Sequence, residues 1–282
     1  MRYAVLLCIA VTAALFAGCF KSESNTDVQP SLPADSAIVL KDQAYGDDSQ
    51  QRMDVYLPPG RTATTTRCIV FIHGGAWAGG DKEEFNSTID SLRRLNSPYA
   101  FFNINYRLAG IGKNQYPAAE QDVQNAVGYI QQNLQRFQVS NATVLVGTSA
   151  GAHLAALQAY KHNEEGVIKA AVCLYGVYDL PALITQTEPA LQVLLTTFMG
   201  GLPAQKEQAY YDASPVNYVT AQGPPALVMY GTEDEIAPPA QAQQFVQKLQ
   251  ATGVAHEEVS YRGGHGIPPA NAADAWTKVW AF

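Results

Sequence analysis

Short apolar runs alternate with helix-like runs along most of this chain, and this alternation is the feature that most constrains its fold. The predicted strands are 53–57, 68–73, 99–106, 143–147, 168–175, 226–230 and 256–261. The predicted helices are 82–95, 118–135, 150–160, 239–251 and 269–281. Strands that are apolar throughout are buried on both faces, and a helical crossover makes consecutive strands parallel. The sequence therefore predicts an α/β fold with a mostly parallel central sheet and helices on both faces.

The overall composition limits the class of partner. The chain has 282 residues, 47% of them hydrophobic, and a formal net charge of −7. No cluster of basic residues is longer than a pair. Because nucleic acid attracts basic surfaces, we expect no nucleic-acid partner.

The first residues predict export. Arg2 precedes an apolar run from 3 to 16, which is too short to span a bilayer but typical of a secretory signal peptide. Residues 15–19 read LFAGC, which resembles the lipobox of bacterial lipoproteins, in which the cysteine becomes the lipidated first residue. We therefore expect a lipoprotein signal peptide at 1–18 and an acylated Cys19 that anchors the protein to a lipid bilayer of the bacterial cell envelope. The alternative is an ordinary signal peptide and a secreted protein.

The segment after the signal peptide differs in composition from the rest of the chain. Residues 19–38 are polar, contain Ser and Pro, and lack periodicity. This pattern predicts a flexible tether, followed by one domain at 39–282. Cys68 and Cys173 lie in apolar strand-like runs, so we expect buried free thiols rather than a disulfide or a metal site.

A serine lies where a predicted strand turns into a predicted helix. Residues 147–151 read GTSAG, and they separate the apolar run 143–146 from the helix-like run 152–156. Small residues around a serine in such a turn are typical of a nucleophile elbow, in which the hydroxyl stands clear of a strained backbone. Ser149 is therefore the candidate nucleophile.

A glycine-rich segment follows the predicted strand 68–73. Residues 73–77 read HGGAW, and the glycines allow backbone N–H groups to approach a ligand closely. Acyl transfer places negative charge on the former carbonyl oxygen, which such N–H groups stabilise. Together with the amide of Ala150, this segment predicts an oxyanion hole. The alternative is a glycine-rich connection with no ligand.

A serine nucleophile needs a histidine base and a carboxylate that orients it. His265 is the candidate base, since it lies in a glycine-rich loop after the last predicted strand. Glu233, Asp234 and Glu235 are three candidate carboxylates in one loop. We favour Asp234 because its short side chain loses less conformational freedom than Glu when it holds an imidazole.

The other histidines in the chain have different predicted roles. We expect His73 to brace the glycine segment and His153 to pack beneath the elbow. His162 and His256 lie in polar surroundings and are expected on the solvated surface.

These motifs occur in a characteristic order: HGGAW at 73–77, GGDK at 79–82, NYRL at 105–108, YPAA at 116–119 with Asp122, GTSAG at 147–151, GTED at 231–234 with Pro238, and GHG at 264–266. The set, which covers about residues 40–282, resembles the esterase/lipase group of the α/β-hydrolase superfamily. The resemblance is strongest to the carboxylesterase branch related to hormone-sensitive lipase and to bacterial acetyl and feruloyl carbohydrate esterases.

The resemblance implies an α/β-hydrolase fold and a role for each motif residue. Ser149 would be the nucleophile, Asp234 the acid and His265 the base. The oxyanion hole would be formed by the backbone N–H groups of Gly75, Ala76 and Ala150. No cofactor or metal would be required.

The sequence therefore predicts a serine carboxylic-ester hydrolase that cleaves small or medium acyl esters through an acyl-enzyme. Its partner would be a small-molecule ester, with acylated carbohydrate near the cell surface as one class. Trp77 and Tyr178 are candidates for the substrate pocket, with a packing role as the alternative for Trp77. Residues 176–218 either cap that pocket or complete the core.

Two other functions remain open. The segment His-Gly-Gly-x-Trp is also similar to the kynurenine formamidase signature, which favours an amidase of the arylformamidase type as an alternative. A non-catalytic binding lipoprotein of the cell surface is a further alternative, and the complete set of catalytic residue types argues against it.

Overall fold

An eight-stranded sheet forms the centre of the computed structural model, which describes residues 30–282. Strands β1 to β8 are Ile38–Ala44, Arg52–Leu57, Cys68–Ile72, Ala100–Ile104, Thr143–Thr148, Ile168–Leu174, Ala226–Gly231 and His256–Tyr261. Their order across the sheet is β1-β2-β4-β3-β5-β6-β7-β8. Strand β2 is antiparallel to β1 and β4, whereas the other neighbouring pairs are parallel. The predicted mostly parallel sheet is confirmed.

Helices pack on both faces of this sheet. Helices α1 to α9 are Asn86–Arg94, Ala118–Gln132, Leu134–Phe137, Ala150–Tyr160, Leu180–Gln186, Pro189–Met199, Glu207–Asp212, Pro239–Thr252 and Ala272–Ala281. Successive residues of β3 enter different apolar clusters, Val70 with α2, α4 and α8, and Phe71 with α1 and α9. Since side chains of a strand alternate between faces, these clusters are the two layers that cover the sheet.

Two predicted helices begin one turn later than expected because short 3-10 helices precede them. The first 3-10 helix is Lys82–Phe85, and the Asp81 side chain caps it by accepting from the Glu83 amide at 2.9 Å. The second is Pro269–Asn271, which leads into α9. Strand β1 was not predicted, since it is an edge strand whose residues are half-buried or exposed and whose apolar part, 38–40, is short.

The N-terminal boundary of the domain is earlier than predicted. Leu32 donates its amide to the Arg136 carbonyl at 2.9 Å, and the buried Arg61 guanidinium donates to the Ser36 carbonyl at 2.8 Å. The prediction of a flexible tether as far as residue 38 is therefore wrong for 31–38, because Arg61 binds this segment to the domain. The predicted signal peptide 1–18 and lipidated Cys19 lie outside the described residues.

Cys68 and Cys173 are both free and buried, which confirms the predicted thiols. Burial raises the pKa of each thiol to about 12. No helix within residues 30–282 is both long and apolar enough to cross a membrane.

The turn from β5 into α4 is held by two glycines that leave no room for a side chain. A Cβ on Gly151 would lie 2.0 Å from the Ile72 carbonyl oxygen at the end of β3, and one on Gly147 would lie 2.2 Å from the Gly151 oxygen. Helix α4 therefore begins directly against the end of β3. This contact brings Ser149 beside the segment that follows β3.

Candidate active site

Three side chains that are far apart in the sequence meet beyond the carboxyl ends of the parallel strands. Ser149 follows β5, Asp234 follows β7, and His265 follows β8. The His265 Nε2 atom lies 2.9 Å from the Ser149 hydroxyl, and its Nδ1 atom lies 2.8 Å from Oδ2 of Asp234. The structure thus brings together the three residues that the sequence singled out. This edge of an open α/β sheet is where ligand sites of such folds form.

Ser149 has the strained backbone of a nucleophile elbow. Its φ is +50° and its ψ is −116°, a conformation that a residue with a side chain rarely adopts. The Ser149 amide donates to the Leu174 carbonyl at 2.8 Å, and this bond joins the turn to the neighbouring strand. The hydroxyl is left to contact His265.

Asp234 is the acidic residue of its loop that reaches the histidine. It is 3% exposed, and its Oδ1 accepts from the amides of Ile236 and Ala237 at 2.8 and 2.9 Å while Oδ2 faces His265. Glu233 instead forms an exposed ion pair with Arg262 at 2.9 Å. Both Asp234 oxygens are therefore occupied by donors, which fixes the orientation of the carboxylate toward the imidazole.

The glycine segment 73–77 lies against the elbow and has an unusual backbone. Gly75, Ala76 and Trp77 have φ values of +103°, +49° and +59°. A Cβ on Gly74 would lie 3.3 Å from the Ser149 Cβ, so the two segments are in close contact. The amides of Gly75, Ala76 and Ala150 make no hydrogen bond to any other residue within 30–282, and they remain available to a ligand.

Three residues of the NYRL motif hold this region in place, although the sequence suggested no separate role for them. The Tyr106 hydroxyl donates to the carbonyls of His73 and Gly74 at 3.1 and 3.2 Å. The Asn105 amide group donates to Asp81 at 2.7 Å. Arg107 forms a salt bridge of 2.7 Å with the fully buried Asp122. The motif therefore fastens the chain around the glycine segment to β4 and α2.

His73 and His153 lie where they were expected. The His73 ring stacks on Tyr106 at 4.3 Å between centroids, and its Nδ1 lies 2.7 Å from the Gly74 carbonyl oxygen. Burial lowers the pKa of His73. The prediction for His162 is wrong, since that side chain is only 22% exposed and its Nε2 lies 2.5 Å from the buried Glu120 carboxylate.

His153 connects the glycine segment to the helical insertion. The Trp77 indole donates to Nδ1 of His153 at 3.1 Å, and Nε2 of His153 lies 2.6 Å from the Ala213 carbonyl oxygen. A neutral ring protonated on Nε2 satisfies both contacts, because Nδ1 must accept and Nε2 must donate. Burial lowers the pKa of His153 to about 4, which is consistent with this neutral form.

A small apolar cavity adjoins Ser149. It has a volume of about 30 Å³. Its lining comprises Ala76, Trp77, Ser149, Ala150, Val177, Leu183, Thr187, Leu191, Leu194, Leu195, Ile236 and Ala237. Helices α5 and α6 of the insertion therefore supply much of the wall.

Trp77 lines this cavity, but Tyr178 does not. The Tyr178 ring is fully buried and stacks on Phe245 of α8 at 4.1 Å between centroids. The prediction that Tyr178 contributes to the substrate pocket is wrong, because its ring packs against α8 instead of facing Ser149.

The sheet order, the elbow after β5 and the three side chains at one edge define an α/β-hydrolase, and the predicted fold class is confirmed. The BD-FAE family model matches residues 53–249. The chain belongs to the BD-FAE family.

Several known proteins are similar to this chain. The probable carboxylic ester hydrolase LipM of Mycobacterium tuberculosis is 30% identical over 224 residues, which are 74% of this chain and 51% of LipM. A kynurenine formamidase of Meyerozyma guilliermondii is 31% identical over 76% of this chain and 82% of the relative. The chain thus spans about half the length of LipM.

A solved structure shares the fold. The acetyl ester-xyloside bifunctional hydrolase of Caldicellulosiruptor lactoaceticus superimposes with a TM-score of 0.68 and 20% identity, over 88% of this chain and 95% of that one.

The neutral state of His153 predicts a pH-dependent stability. The unfolded chain takes up a proton on this histidine below about pH 6.5, whereas the folded protein resists protonation until about pH 4. This contribution to the free energy of unfolding is fully present above pH 6.5 and is lost as the pH falls toward 4, by about 3 kcal/mol at most.

Urea denaturation of the wild type and of His153→Gln between pH 8 and pH 4.5 measures this effect. Glutamine can still accept from Trp77 and donate to Ala213, but it does not titrate. We expect a shallower loss of stability in the variant, and the difference at pH 8 gives the cost of altered packing. Parallel curves for the two proteins would contradict the assignment.

Proposed function

We propose that this protein is a serine carboxylic-ester hydrolase in which Ser149, His265 and Asp234 are the catalytic residues. The observation that carries the proposal is the continuous chain of contacts from the Ser149 hydroxyl through both nitrogens of His265 to the Asp234 carboxylate, at 2.9 and 2.8 Å. A serine is a weak nucleophile until a base accepts its proton, and these distances suit that transfer.

The geometry supports a two-step acyl transfer. His265 removes the hydroxyl proton as Ser149 attacks the ester carbonyl, and the imidazolium is stabilised by the Asp234 carboxylate. His265 then gives the proton to the leaving alcohol, which leaves an acyl group on Ser149. Water, activated by the same histidine, releases the acid and restores the hydroxyl. Every proton in this sequence is carried by His265.

The negative charge of the tetrahedral intermediate requires donors that are already in position. The amides of Gly75, Ala76 and Ala150 have no other hydrogen-bond partner within the described chain, and we assign them to the oxyanion hole. The strained backbone of the glycine segment supports this role, because unusual conformations of this kind are typical of functional sites.

The acyl side of the substrate is small. The cavity beside Ser149 has a volume of about 30 Å³ and a mostly apolar lining, which leaves room for only a small group. An acetyl methyl group fits, and we expect longer acyl chains to be accommodated less well. We therefore propose acetyl esters as the preferred class, with acetylated carbohydrate as one natural form, since the acetyl ester-xyloside hydrolase has this fold.

A second candidate is hydrolysis of an aryl formamide. The similarity to the kynurenine formamidase over 82% of that relative favours it, and a formyl group also fits the cavity. The same catalytic residues would serve. A higher kcat/KM for formanilide than for phenyl acetate would select this function over ester hydrolysis.

Replacement of the proposed catalytic residues tests the mechanism. We expect Ser149→Ala to abolish hydrolysis of 4-nitrophenyl acetate, and Asp234→Asn to lower kcat by about 10⁴-fold because the imidazole loses its orienting carboxylate. Glu233→Gln is the matched control, since Glu233 lies next to Asp234 and, within residues 30–282, its carboxylate pairs with Arg262 and not with His265. Wild-type activity in Ser149→Ala, or a greater loss in Glu233→Gln than in Asp234→Asn, would refute the assignment.

The size of the cavity predicts how acyl preference changes. Leu195 is 2% exposed and lines the cavity, so Leu195→Ala makes room for a longer chain. Butyrate carries two more methylenes than acetate, worth about 1.6 kcal/mol when buried. In Leu195→Ala, we expect the ratio of kcat/KM for 4-nitrophenyl butyrate to kcat/KM for 4-nitrophenyl acetate to rise about tenfold over the wild-type ratio.

Leu227→Ala is the control for this change, because Leu227 is fully buried in β7 and belongs to the other apolar cluster. It should lower stability without altering the acyl preference. An equal shift in both variants would show that the cavity does not select the acyl chain.

We also propose that an acylated Cys19 anchors the enzyme in the bacterial cell envelope, on the basis of the resemblance of residues 15–19 to a lipobox. Stable anchoring needs more than one acyl chain, as lipoprotein processing supplies. The full chain should enter the detergent phase of a Triton X-114 extraction, and Cys19→Ala should remain in the aqueous phase. Identical partitioning of the two proteins would refute the anchor.

A further inference from the structure

The Glu84 carboxylate joins the two segments that flank Ser149. Its Oε2 accepts from the Gly74 amide at 2.9 Å, and its Oε1 accepts from the Thr148 hydroxyl at 2.6 Å. Gly74 belongs to the glycine segment and Thr148 immediately precedes the nucleophile. One side chain therefore holds the proposed oxyanion donors and the proposed nucleophile together.

The backbone that carries Glu84 is fixed on both sides. Lys82, in the same 3-10 helix, forms ion pairs with Asp42 and Asp54 at 2.8 and 3.0 Å. Phe85 is 2% exposed and packs on Phe71 with 4.9 Å between ring centroids. Because its neighbours are anchored, Glu84 extends toward Gly74 and Thr148 from a backbone that is packed on the domain.

The glycine segment needs such a tie. Ala76 and Trp77 both have positive φ values, at +49° and +59°, and conformations of this kind persist only where the surroundings enforce them. The approach of Gly74 to Ser149 is also close, since a Cβ at Gly74 would lie 3.3 Å from the Ser149 Cβ. Without the carboxylate, the Gly74 amide loses its link to Thr148, the residue that precedes the nucleophile.

We propose that Glu84 is a positioning residue that sets the distance between the amides of Gly75 and Ala76 and the Ser149 hydroxyl. This inference rests on the proposed esterase function, in which those amides bind the oxyanion. Glu84 itself touches no reacting atom, and it acts through Gly74 and Thr148.

The oxyanion exists only in the tetrahedral intermediate and the transition states beside it, so a misplaced donor lowers kcat and leaves KM nearly unchanged. A displacement of about 1 Å costs on the order of 100-fold in rate. We expect Glu84→Ala to lower kcat for 4-nitrophenyl acetate by about 10- to 100-fold. Glu84→Gln should retain most of the activity, because its amide oxygen accepts from Gly74 and the Thr148 hydroxyl can rotate to accept from its NH₂ group.

The experiment compares Glu84→Ala, Glu84→Gln and Glu83→Gln with the wild type. Glu83 is the matched control, since it is the adjacent exposed glutamate and its carboxylate has no hydrogen-bond partner within residues 30–282. Steady-state kinetics with 4-nitrophenyl acetate give kcat and KM. Hydrogen–deuterium exchange of the peptide that contains Gly74, read by mass spectrometry, reports the tie without reference to turnover.

Loss of kcat in Glu84→Ala, recovery in Glu84→Gln and faster exchange at Gly74 only in Glu84→Ala support the inference. Wild-type kcat in Glu84→Ala, or equal losses in both Glu84 variants, would overturn it. If the wild type hydrolyses no ester, the proposed function fails. Independently of that result, unchanged hydrogen–deuterium exchange of the Gly74 peptide in Glu84→Ala would show that Glu84 does not restrain the glycine segment.

Discussion

The structure depends on the contact between the first turn of α4 and the end of β3. At Gly151 the backbone of the helix lies so close to the Ile72 carbonyl that a Cβ would approach it to 2.0 Å. Gly147, near the end of β5, must also lack a side chain, because a Cβ there would lie 2.2 Å from the Gly151 oxygen. Because both positions lack side chains, α4 can start in direct contact with the end of β3. Ser149 then lies at the carboxyl edge of the sheet with a φ of +50°. All other parts of the site are arranged around that serine.

The segment that follows β3 is held in a conformation it would not adopt alone. Tyr106 binds its first two carbonyls, His153 accepts from the Trp77 indole, and Glu84 accepts from the Gly74 amide. These three side chains come from separate elements, so the segment is restrained from several directions. Backbone strain of this kind is typical of sites where donors must be in place before the reaction begins.

The two sides of the proposed catalytic residues have different chemistry. On one side, α5 and α6 enclose a cavity of about 30 Å³ with apolar walls. On the other, the exposed Glu84 carboxylate and the buried Thr148 hydroxyl form a polar tie at the edge of the sheet. The helical insertion at 176–218 lines this cavity and also contributes to the core, since Leu195 and Phe198 are both buried in the apolar cluster.

The sequence by itself determined the parallel strands, the helices between them and the residues that converge at the edge of the sheet. Continuous apolar runs and glycines at 147 and 151 carry that information locally, because burial and backbone conformation select those residue types. The sequence did not predict the edge strand β1 or the binding of 31–38 to Arg61, since the apolar part of β1 is short and the contact with Arg61 joins segments that are far apart in the sequence. Only the tertiary structure decided that Tyr178 stacks on Phe245, that Trp77 is held by His153, and that Glu84 spans Gly74 and Thr148. These are contacts between residues distant along the chain, and their partners are fixed by packing, not by local pattern.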